Sequence, residues 1–155
     1  MWKVLGQWAY GLCGLAKGQT LPLPKAEPWW RGEIGEALRG VAFVNLKKTG
    51  GSATADPKEV SQYIEQDWDL LLQQITEMNP DIVVCGSTWS LIEARFPGAS
   101  ASGTSRCVHR AGQFVFVDFW HPSNRFPPAL NYYALLGMAA SCGVVATRLH
   151  RNRNA

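Results

Sequence analysis

Charge is scarce in this sequence. Asp, Glu, Lys and Arg make up 17% of its 155 residues, against an average of about 25%. The deficit leaves more of the chain for an interior or an interface. None of its four cysteines (Cys13, Cys85, Cys107 and Cys142) stands in a C-x-x-C pair, which speaks against a zinc site. Neither a metal nor a cofactor is expected, and the cysteine usage predicts a reducing, cytoplasmic setting. Long apolar runs are missing too. The longest, 134–146, is broken by Gly137, Ser141 and Gly143. It has the length of a buried helix, not of a membrane span. Met1-Trp2-Lys3 leads into no clean apolar core with a cleavage site, so no secretory leader is expected. Lys48-Thr49-Gly50-Gly51 lacks the Gly-x-x-x-x-Gly-Lys order of a P-loop. There is no internal repeat.

What is present excludes a disordered chain: 46% of the residues are hydrophobic. The length suits one domain that buries about two-thirds of its unfolded surface. Seven tryptophans stand out, at positions 2, 8, 29, 30, 68, 89 and 120. Such rings fill cores, line interfaces or stack on bases. The net charge of +3 permits an anionic partner without demanding one.

Apolar periodicity organises the chain. Val4, Leu5, Trp8, Leu12 and Leu15 predict a first helix, and 30–39 a second that ends before Gly40. Val41-Ala42-Phe43-Val44 reads as a short buried strand. Asp56-Pro57-Lys58-Glu59 is a helix start with a capping Asp, Pro at the first helical position and Glu three residues after the cap. Val60, Ile64, Trp68, Leu71, Leu72, Ile75 and Met78 continue it until Asn79-Pro80. Ile82 to Cys85 is a second buried strand, and a helix is expected from Thr88 to about Phe96. The segment 97–104 reads as small and flexible. Two strands, 107–110 and 114–117, are joined at Ala111-Gly112, and Pro127-Pro128 opens a final helix from about Ala129 to Ser141. The expected organisation is a helical or irregular part (1–39), a sheet core (40–146) and a basic tail (147–155). Strands alternating with helices predict an α/β fold with a mainly parallel sheet.

In such sheets ligands bind beyond the carboxyl ends of the strands. Three polar loops follow apolar strands: 45–51, 86–88 and 121–125. Asn45 offers one acceptor and two donors, the complement of an imide edge such as that of uracil. His121 can donate to a developing oxyanion. Lys47 and Lys48 offer cations for phosphates, although each also reads as a solvated loop lysine. The chemistry suggested is the handling of a base on a phosphate backbone.

On these residues the sequence resembles the uracil-DNA glycosylase superfamily. Val41-Ala42-Phe43-Val44-Asn45 resembles its second strand, ending in the Asn that reads a flipped pyrimidine. Asp81 to Ser87 resembles the third strand and its Gly-Ser turn. Val117-Asp118-Phe119-Trp120-His121-Pro122-Ser123 resembles the fourth strand entering the family's His-Pro-Ser motif. The resemblance covers roughly 40–140 and implies a three-layer α/β/α fold. It implies DNA as partner, His121 as the group that stabilises charge on the base, and Asn45 and Ser87 as base-binding residues. Ser123, Asn124 and Arg125 would form a loop entering the DNA minor groove. No Gly-Gln-Asp-Pro or Gly-Glu-x-Pro-Gly pattern precedes Asn45, so the family's first strand and its water-positioning residue have no counterpart here. Asp118, between aromatics, reads as paired or end-exposed, with catalysis the alternative. Trp89 and Trp120 adjoin the site loops and are candidates for base stacking, and Arg148, Arg151 and Arg153 for nonspecific DNA affinity. Two other readings stand beside the enzyme: a nucleic-acid or protein binding module on the same fold, and another small α/β domain, nucleotide-binding or homodimeric.

Overall fold

The computed structural model describes residues 1–25, 31–48, 56–101, 106–141 and 143. Trp29, Trp30, the loop residues 49–55, Cys142 and the basic tail lie outside the described residues. The chain is mixed α/β, with five α-helices and one four-stranded open sheet among those residues.

Helix α1 (Trp2–Ala16) and helix α2 (Gly32–Leu38) come first. Helix α3 (Pro57–Met78) starts as its sequence dictates: Pro57 opens it, and the Asp56 carboxylate accepts from the Lys58 N–H at 2.9 Å. Glu59 does not close a capping box, because its carboxylate pairs with Lys47 instead. The helix stops at Asn79, which takes the left-handed conformation at φ 43. Helix α4 (Trp89–Ile92) is shorter than its sequence predicts and tightens into a 3-10 turn over Glu93–Arg95. Helix α5 (Pro128–Ser141) closes the described chain.

The strands are β1 (Val83–Gly86), β2 (Ser100–Ala101), β3 (Val108–Ala111) and β4 (Phe114–Phe119), in the order β1-β4-β3-β2. Only the β1–β4 pairing is parallel, with Val83 opposite Phe116 and Gly86 opposite Phe119. The other two pairings are antiparallel, which corrects the expectation of a mainly parallel sheet. The cause is local. Gly112, at φ 59, and Gln113 make a two-residue turn between β3 and β4, and a turn that short joins antiparallel strands alone.

The predicted strand 41–44 is a second correction. This run belongs to no strand, and Val41 and Phe43 are exposed. Its apolar side chains cover other elements: Phe43 lies 5.7 Å from the Trp2 ring, and Val44 packs against the α3 cluster. The described sheet therefore begins at Val83, not near residue 40.

Strand β4 alternates strictly. Phe114 and Phe116 join a cluster with Ile64, Leu71 and Ile75 of α3, Cys85 of β1 and Trp89 of α4. Val115, Val117 and Phe119 join Trp8 of α1 and Leu135 of α5. Helices α1 and α5 meet at Gly11, where a Cβ would come within 2.7 Å of the Tyr132 ring and 2.8 Å of Leu136. No helix among the described residues is long and apolar enough to cross a membrane.

Truncating Phe116, which is fully buried, to Ala is expected to cost about 3–5 kcal/mol in denaturant unfolding. Phe43→Ala is expected to cost well under half of that, since Phe43 is 48% exposed. Equal losses would put residues 41–44 back inside the sheet.

Candidate functional site

The carboxyl ends of the parallel pair β1 and β4 are joined by one residue. Ser87 sits at φ 58, a region a Ser rarely enters and one that costs roughly 1–2 kcal/mol. This backbone extends the ladder, with the Ser87 N–H donating to the Phe119 carbonyl at 2.6 Å. It also turns the Ser87 hydroxyl toward the loop leaving β4, where Oγ accepts from the His121 N–H at 3.0 Å. That loop packs over Gly86 at ordinary contact distance. A Cβ there would lie 3.4 Å from Pro122 Cδ and 3.8 Å from His121 Cδ2.

The loop itself is fixed by short-range bonds. The Ser123 N–H donates to His121 Nδ1 at 3.1 Å. In the neutral ring this leaves the proton on Nε2, so the exposed imidazole presents a donor. Asn124 Nδ2 donates to the His121 carbonyl at 2.8 Å, and its Oδ1 accepts from the Phe126 N–H at 2.9 Å. Asn131, buried in the first turn of α5, exchanges amide bonds with Asn124 at 2.9 and 3.1 Å. Arg125 is exposed on the same loop.

Ser87, His121, Ser123 and Asn124 are thus brought together, with Arg125 beside them. Asn45 is exposed and follows the segment that stays out of the sheet. Lys47 pairs with Glu59 at 2.6 Å and lies 5.1 Å from the Tyr63 ring centre, while Lys48 donates to Gln74 at 2.8 Å. Both lysines are therefore engaged on α3. Trp89 is a core residue: it stacks on His109 at 4.4 Å and 18°, and on Phe96 at 6.3 Å and 15°. Its buried Nε1 has no hydrogen-bond partner among the described residues. Trp120 is half-buried and tilts against Phe126 at 4.5 Å.

Trp120 also walls a cleft of about 380 Å³ at this end of the sheet, together with Ser87, Ser90, Asp118 and Met138. Burial raises the Asp118 carboxyl above its ordinary range; His109 opposes the shift and Glu93 adds to it. Opposite Asp118 in the register, burial and then the Asp118 charge push the Cys85 thiol up to about 12, against the pull of a hydrogen bond from Thr88. A larger hollow of about 1000 Å³ lies between α1 and α2, and no strand-end residue lines it. Among the described residues no cluster of His, Cys, Asp and Glu could hold a metal ion. Sequence reasoning missed Ser90 and Asn131. The signal for Asn131 was present: a lone amide at the helical phase of Leu135 and Met138.

Two outcomes follow. Burial and the raised pKa keep Cys85 a thiol at mildly alkaline pH, so iodoacetamide is expected to spare it in the folded protein and label it after unfolding, as read by peptide mass mapping. Asn131→Ala removes both amide bonds to Asn124 and the bond to the Phe126 carbonyl, and is expected to cost about 1–3 kcal/mol in thermal or denaturant unfolding.

No family model, curated protein or solved structure matches this chain.

Proposed function

We propose that this chain is a uracil-DNA glycosylase-like protein that recognises a flipped uracil-type base in DNA and hydrolyses its N-glycosidic bond. The observation that carries the reading is the His121 loop. An exposed imidazole, its Nδ1 accepting from the Ser123 N–H, stands at the carboxyl ends of a parallel strand pair with Nε2–H free to donate. A donor held in place before charge develops is what a departing pyrimidine anion needs. Ser87 supports the same reading, since its hydroxyl fixes the loop and also lines the adjoining cleft. In this reading Trp120 is the stacking surface, Ser123, Asn124 and Arg125 enter the minor groove, and Lys47 and Lys48 contact phosphates by exchanging their partners on α3. The finer architecture proposed is a three-layer α/β/α domain, supported by the division of β4 side chains between the α3–α4 cluster and the α1–α5 cluster.

A second reading, a nucleic-acid binding module without chemistry, is favoured by Asn45, which lies outside the sheet. Uracil release from a single-stranded uracil oligonucleotide separates the two. The enzyme reading expects release by the wild type, slowed roughly 10²–10³-fold by His121→Ala and also reduced by Asn45→Ala. Salt-sensitive oligonucleotide binding with no release is the module's outcome. Release untouched by both substitutions would remove these residues from the site.

A further inference from the structure

We infer that Asp118 is the group that takes the proton of the attacking water, an inference that rests on the base-release reading above. Hydrolysis breaks the bond from the sugar C1′ to the base nitrogen, and its electron pair leaves with the base. The water oxygen bonds to C1′, and the water must give up a proton. His121 serves the leaving base and leaves the water unattended. Among the described residues lining the cleft, Asp118 carries the one carboxylate.

Its position fits the task. Asp118 stands opposite Cys85, one step before the Gly86–Phe119 pair. The His121 loop rides over Gly86, and Ser87 both bonds that loop and lines the cleft with Asp118. Asp118 and His121 are three residues apart along the chain, and Ser87 connects them: its hydroxyl holds the His121 N–H, and it shares the cleft wall with Asp118. Four titratable groups face Asp118: Cys85 from β1, Cys107 just before β3, whose carbonyl accepts from the Asp118 N–H and whose residue lines the cleft, His109 from β3, and Glu93 from the turn after α4. Cys85 stays a thiol, His109 favours the ionised carboxylate, and Glu93 favours proton uptake. A proton acceptor works best with its pKa near the working pH, and half-burial moves this carboxyl in that direction.

The linkage sign gives a control. A carboxyl raised on folding holds its proton more tightly in the folded chain, so its ionisation opposes folding. That cost is absent below the ordinary Asp value of about 3.9 and grows as pH rises through the raised value. Asp118→Asn escapes it and is expected to be at least as stable as the wild type at neutral pH, so a loss of release in this variant is not a loss of fold.

The experiment is single-turnover uracil release from a single-stranded uracil oligonucleotide across acid to mildly alkaline pH. Wild type, Asp118→Asn and Asp118→Glu are compared, with oligonucleotide Kd measured in parallel by anisotropy. Asp118→Asn is expected to slow release roughly 10²–10⁴-fold, leave Kd unchanged and abolish the acid limb of the pH profile, with Asp118→Glu restoring part of the rate. Release by Asp118→Asn at the wild-type rate, with the acid limb kept, would overturn the role of Asp118 and leave the base-release reading standing. No release by the folded wild type would overturn both.

Discussion

Phe116 and Val117 are neighbours on β4, point to opposite faces of the sheet, and are both fully buried. A strand that is apolar on both faces must be covered on both. Phe116 clusters with residues of α3 and α4, and Val117 with residues of α1 and α5. Strand β4 is central, with β1 on one flank and β3 on the other. The polar residues at its end inherit their placement from that arrangement. Asp118 is the first position where the apolar alternation fails, and the loop with His121 begins three residues later.

The elements read most securely from sequence were those whose ends are set by local chemistry. Asp56, Pro57 and Asn79 fix α3 within a residue of its expected bounds, because caps act over three or four residues and need no tertiary information. The β3–β4 hairpin was legible for a similar reason: Gly112 supplies the positive φ of its turn. The segment 41–44 was not legible. Four apolar residues have the composition of a buried strand, but a strand also needs a backbone partner, and composition does not supply one. Strand direction was hidden in the same way, since alternation along one strand says nothing about its neighbour. At the site, His121 and Ser87 were visible as polar residues after apolar runs. The amide bracket from Asn124 to Asn131 was not, because it joins a loop to a helix through side chains alone.

The site draws on unequal reserves of order. Its loop is over-determined: Asn124 serves three hydrogen-bonding groups, and Ser87 accepts backbone strain to place one hydroxyl. Asp118, by contrast, is half-buried, and burial outweighs the pull of His109, so its position works against folding whenever the carboxyl is ionised. Rigid support next to a costly ionisable group is the usual division between what a fold needs and what a site needs.

The contact at Gly11 has a consequence in time. Helix α1 docks on α5 from the far end of the sequence, and the Tyr132 hydroxyl reaches back 111 positions to the Leu21 carbonyl. During synthesis α1 leaves the ribosome long before its partner exists. Its apolar stripe of Trp8, Leu12 and Leu15 stays uncovered until α5 follows. Closing so long a loop is slow. Helix α1 is thus made well before its packing partner, and in that interval its apolar stripe is open to chaperone capture and self-association.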